Sequence, residues 1–148
     1  MNKYNISIQH SIFINKPREL VWDYTQDYTK RKFWDRSVKD TFVLEEYPNR
    51  IVKVKAQGNI TMTFEYKQDE KPYKTSLVTT EIQSQFIALA GGSWIYDVKE
   101  GGTLWTQKNT LQLKPSKLTF MLLPIYKWML NRQTRKSMKK AKQIIENL

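Results

Sequence analysis

Residues 4–14, YNISIQHSIFI, alternate strictly between apolar and polar positions. Tyr4, Ile6, Ile8, His10, Ile12 and Ile14 fall on one side, and Asn5, Ser7, Gln9 and Ser11 on the other. A period of two predicts a strand with one face buried. The pattern stops at Asn15-Lys16-Pro17, where Asn15 is placed to cap a helix and Pro17 suits a first helical turn. ELVWDYTQD then lines Leu20, Val21 and Tyr24 along one side of a short helix. A second short helix is expected over Thr29–Trp34, with the charges of TKRK as its solvated face.

From Val38 to Leu113 the pattern is strand after strand. RIVKVKAQ sets Val52, Val54 and Ala56 against Lys53 and Lys55, and ITMTFEYKQ sets Ile60, Met62, Phe64 and Tyr66 against Thr61, Thr63 and Glu65. Turns fall at Pro48-Asn49, Gly58-Asn59, Asp69-Glu70-Lys71-Pro72 and Gly101-Gly102, with Gly91-Gly92 ahead of SWIYDVKE. Such short connections predict an antiparallel sheet of about six or seven strands, apolar on one face, which must be covered. Pro115-Ser116 ends the run, and LTFMLLPIYKWMLNRQTRKSMKKAKQIIENL, residues 118–148, is the cover. In its second half Leu130, Thr134, Met138, Ala141, Ile145 and Leu148 make a narrow stripe among Lys and Arg. Its first half, Leu118–Leu130, is apolar nearly all round, with Pro124 at a first turn or a kink. The fold class expected is α+β, in the order strand, two short helices, five or six strands, long helix, and 148 residues suit one domain spanning 1–148.

Composition narrows the function classes. With no Cys and one His, neither a disulfide scaffold nor a metal site is expected, and no cofactor either. Met1–Gln9 has no apolar signal core, so a cytoplasmic location is expected. Leu118–Leu130 is too short for a membrane span, which needs about 20 apolar residues. The net charge of +11 suits an anionic partner or simple solubility. Trp128 and Tyr126 beside the Lys/Arg cluster would suit weak association with an anionic membrane. No pattern for specific nucleic-acid recognition is present.

Several stretches resemble the START-like (SRPBCC) superfamily, in particular its polyketide cyclase/dehydrase-like branch. They are Ile14-Asn15-Lys16-Pro17 followed by Val21-Trp22 and Asp27, Gly101-Gly102-Thr103, and the closing KKAKQIIEN. The resemblance runs the length of the chain in element order. It implies a helix-grip fold, in which a strongly curved sheet wraps the C-terminal helix around an apolar cavity. It also implies binding or transport of a lipid-, polyketide- or sterol-like molecule. A cyclase or dehydratase using the same cavity is the alternative; a basic adaptor at an anionic membrane or RNA surface is a second. No invariant catalytic set comes with the resemblance, and the chain's oligomeric state is not legible.

Period two turns Phe64, Tyr66, Trp94, Tyr96 and Trp105 toward the cavity as the sheet's wall. Met121, Ile125, Trp128 and Met129 are expected as the helix's wall, with Trp34 closing one end. Polar groups on an apolar wall orient a ligand, and His10 and Asn109 are the handles expected. His10 and Tyr66 are the candidates for acid–base chemistry, although an inward His is more commonly a satisfied core residue.

Overall fold

Alternation becomes pairing in the computed structural model, which describes residues 2–148. The strands are β1 (Asn5–Ile14), β2 (Val38–Glu45), β3 (Ile51–Ala56), β4 (Ile60–Glu70), β5 (Lys74–Gln83), β6 (Ile87–Lys99) and β7 (Gly102–Leu113). Helices α1 (Arg18–Gln26) and α2 (Arg31–Trp34) lie between β1 and β2, and α3 (Lys117–Glu146) follows β7. One antiparallel sheet results, in the order β1-β7-β6-β5-β4-β3-β2. Short turns make β2 to β7 a meander. The α1–α2 crossover carries the chain from one edge of the sheet to the other.

The sheet curves around α3. Register shifts between β2 and β3, between β4 and β5, and at the start of β6 bend it. Gly91 and Gly92 lie within β6, not before it. A Cβ on Gly91 would stand 2.8 Å from the Leu77 carbonyl oxygen, and one on Gly92 would overlap the Lys108 carbonyl oxygen. Only glycine lets β5, β6 and β7 come this close.

α3 begins where Ser116 Oγ accepts the Thr119 N–H at 3.0 Å, and it runs through Pro124. Thr134, Ser137, Met138, Ala141 and Ile145 are buried on its inner side. The far end is tied to β1: Lys142 Nζ donates to the Phe13 carbonyl at 2.7 Å, and Glu146 accepts the Asn15 N–H at 2.8 Å. Asn15 therefore does not cap α1, whose N-cap is Pro17. Asp69 and Glu70 extend β4 and do not form the turn expected of them. The second helix is shorter than expected, and Arg31 within TKRK is buried, not solvated.

Candidate ligand site

The interior between α3 and the sheet has two ends of different character. At one end Trp34, Tyr96 and Trp105 are at most 1% exposed and pack with Trp22, Met138, Ala141 and Ile145. Trp105 lies 5.5 Å from Trp34 and 5.4 Å from Trp94 edge to face, and stacks on Tyr96 at 6.1 Å. These rings fill space as well as wall it. Toward the other end Ile60, Ile82 and Leu111 from the sheet and Leu123, Tyr126 and Leu130 from α3 are only partly buried. Phe64 and Leu77 are likewise half-buried. Inward apolar side chains that keep accessible surface are what an amphipathic ligand can cover.

Polar groups gather where α1 and α2 meet the sheet. Arg31 is buried, its guanidinium 4.6 Å from the ring centroids of Tyr28 and Trp94 and 5.1 Å from that of Trp34. Its carboxylate partner is Asp35, at 3.3 Å. Burial works against the Arg31 charge, yet its pKa is raised, held up by Tyr28 and Asp35. Arg50 pairs with Asp69 at 3.0 Å, donates to Gln26 Oε1 at 2.8 Å and lies 3.9 Å from the Tyr66 ring centroid. The hydroxyls of Tyr28 and Tyr66 are hydrogen-bonded to each other, and Tyr66 also donates to Gln26 Oε1 at 3.2 Å. Gln26 Nε2 in turn donates to the Tyr96 hydroxyl at 2.8 Å. Burial pushes Tyr96 up to about 12 and Tyr66 well above its ordinary value, with Tyr28 adding to the latter. Both phenols stay protonated at neutral pH, so each keeps an O–H to donate while its oxygen can still accept, as that of Tyr96 does from Gln26.

Asn109 joins the sheet to the helix. It accepts from Trp94 Nε1 at 3.3 Å and donates to Gln107 Oε1 at 2.9 Å and to Thr134 Oγ1 at 3.1 Å. His10, half-buried on β1, stands near α3. Burial first, then the charges of Arg135 and Lys139, lower its pKa below the ordinary 6.5. The unfolded chain binds this proton more readily than the fold does, so stability is full above pH 6.5 and falls as pH drops from there toward the folded pKa. His10→Gln should flatten the stability profile just below pH 6.5, measured by urea unfolding at each pH. An unchanged profile would place His10 free of those cations.

His10 and Tyr66 are not brought together. They stand on β1 and β4, with β7, β6 and β5 between them in the sheet, and each has its own neighbours. Phe64, Tyr66, Trp94, Tyr96, Trp105 and Asn109 do share the inner face. Met121, Ile125, Trp128 and Met129 do not line the interior. They are 74%, 53%, 60% and 40% exposed, because the inner face of α3 continues back from Leu130 through Tyr126 and Leu123 to Thr119. Arg31, Arg50, Tyr28 and Gln26 were not among the expected site residues. The Arg31–Asp35 spacing of four is the one signal that marked any of them.

A curved seven-stranded antiparallel sheet gripping a C-terminal helix is the helix-grip fold. Solved structures share it at low identity. The di-domain ARO/CYC protein StfQ from the steffimycin biosynthetic pathway superposes with a TM-score of 0.81 at 13% identity, over 98% of this chain and 52% of that one. This chain thus spans about half of StfQ. The Zhui aromatase/cyclase from Streptomyces sp. R1128 gives 0.80 at 13%, over 96% and 94%. A START superfamily protein from Mycobacterium smegmatis gives 0.74 at 11%, over 95% and 97%. The START-like resemblance read in the sequence holds at the level of the fold. No family model matches the sequence, and a search of the curated proteins finds no match.

Proposed function

We propose that the protein binds a hydrophobic or amphipathic small molecule, of lipid, polyketide or sterol kind and bearing acceptor oxygens, between α3 and the sheet. One observation carries this reading. Among the described residues Arg18 Nε, Arg31 Nε, Trp34 Nε1 and Trp105 Nε1 are buried without a hydrogen-bond partner, and the last three belong to one cluster, Arg31 lying against the contacting rings of Trp34 and Trp105. Leaving such a donor unpaired costs roughly 1–3 kcal/mol. Three in one place support a site that takes an acceptor, because buried polar groups are usually paired. The half-buried Phe64 and Leu77, with Ile82 and Leu111 toward the other end of the interior, supply apolar contact for the rest of such a molecule. The similar structures described as aromatase/cyclases and as a START protein support a ligand of this class.

An anthraquinone carboxylate, planar and apolar with carbonyl acceptors, is a suitable probe. At about a hundred times its Kd it should stabilise the fold by about 2.7 kcal/mol, read as a higher melting temperature. Phe64→Ala should weaken its binding roughly tenfold, and Met121→Ser should not. Equal affinities in both variants, or no thermal shift in the parent, would count against the interior site.

A cyclase or dehydratase is the second reading, favoured by the hydrogen-bonded Tyr28–Tyr66 pair beside Arg50. A protonated Tyr66 suits a proton donor to a developing oxyanion. In that case Tyr66→Phe would abolish turnover and leave binding intact.

A further inference from the structure

The outer side of α3 carries large apolar side chains that the fold leaves uncovered. Leu118 is 53% exposed, Met121 74%, Ile125 53% and Trp128 60%. Their spacing of three and four residues sets them in one line along the helix. Scattered single exposures are ordinary, but a contiguous row marks an interaction surface.

The charge around this row has one sign. α3 holds eight Lys and Arg side chains against the single carboxylate of Glu146, a net +7 of the chain's +11. From Gly101 to Ile145 the chain has no Asp or Glu at all. The Arg132 guanidinium lies 5.4 Å from the Trp128 ring centroid. Lys136 is held below its ordinary pKa chiefly by the Arg132 charge, a sign of how closely the cations crowd. At the start of the helix Lys3, Tyr4, Lys117, Phe120 and Met121 line a surface groove of about 340 Å³, with Lys3 Nζ 5.6 Å from the Phe120 ring centroid.

We propose that this face docks on an anionic phospholipid surface. The apolar row enters the acyl boundary, Trp128 sits at headgroup depth, and Lys117, Lys127 and Arg132 meet the phosphates. Among the described residues no helix is long and apolar enough to cross a membrane, so α3 lies along the surface. A second copy of the chain fits this face poorly, because pairing the rows would press two helices of net +7 together. Nucleic acid would satisfy the cations but give Leu118, Met121 and Ile125 nothing to bury against. Docking here is independent of any ligand in the interior, which α3 faces with its other side.

Co-sedimentation with vesicles tests the proposal. The full chain should bind vesicles of equal parts phosphatidylglycerol and phosphatidylcholine roughly tenfold or more better than phosphatidylcholine alone. Binding should weaken as salt rises, through screening. Met121→Ser, Ile125→Ser and Trp128→Ser combined should lower partitioning roughly tenfold or more, because apolar burial at the interface is lost. Since all three side chains are exposed, that variant should keep the parent's melting temperature. Equal binding to both vesicle types would overturn the proposal, as would parent-like binding by the triple variant. A melting temperature lowered by several degrees would show the row to be core, and would overturn it too. So would binding of a single-stranded RNA in place of the anionic vesicles, which would reassign the face to nucleic acid.

Discussion

Asp35→Ala is expected to destabilise the fold by about 3–5 kcal/mol, the range for stranding one member of a buried ion pair. Asp35 Oδ2 faces Arg31 at 3.3 Å, and its other oxygen accepts the Ser37 N–H at 3.1 Å and the Ser37 hydroxyl at 2.7 Å. With the carboxylate gone, the Arg31 guanidinium is left charged among Tyr28, Trp34 and Trp94, with no counter-ion beside it. At roughly 2–4 °C per kcal/mol for a chain of this size, the melting temperature should drop by roughly 10 °C. Combining Asp35→Ala with Arg31→Met removes the stranded charge and keeps apolar bulk against the rings. The double variant should therefore recover most of the loss, as apolar replacement of a whole buried pair often does. A single variant within about 1 kcal/mol of the parent would show that water reaches Arg31.

Trp105→Ala should cost about 3–5 kcal/mol, the usual range for removing a large buried aromatic. Trp105 is wholly buried and touches Trp34, Trp94 and Tyr96, so no neighbour can close the space without leaving its own contacts. The hole should be apolar and of indole size. Added indole should then raise the variant's melting temperature by mass action while leaving the parent unchanged. Equal indole effects on parent and variant would mean that the interior collapses around residue 105. Such collapse would argue against the rigid wall assigned to it.

The strand faces were readable in the sequence because period two needs no tertiary information. Val52, Val54, Tyr66, Tyr96 and Trp105 are buried where alternation turned them inward. The second half of α3 was equally legible, since Thr134, Met138, Ala141 and Ile145 repeat at helical spacing. Its first half was not, because a stretch apolar all round has no face of its own. Extending the later stripe backward selects Tyr126, Leu123 and Thr119, and leaves Met121, Ile125 and Trp128 outside. Arg31 looked like solvated charge because one of the rings that cover it, Trp94, comes from β6, although Tyr28, Trp34 and Asp35 lie close by in sequence. Arg50 was hidden in the same way, its partners Asp69 and Gln26 lying on β4 and α1. Pairing across elements depends on how the sheet curves, and local pattern does not encode that.

Which tryptophan meets the ligand separates an interior site from one on the outer side of α3. The chain has five, at positions 22, 34, 94, 105 and 128, and each indole N–H gives its own signal in a proton–nitrogen correlation spectrum. Single Trp→Phe variants assign them. Titration with the anthraquinone carboxylate should shift the signals of Trp34, Trp94 and Trp105, whose rings form the interior cluster. The exposed Trp128 should stay where it is. Movement of Trp128 with the three interior signals unchanged would place the ligand on the outer side of α3, and the interior site would be wrong.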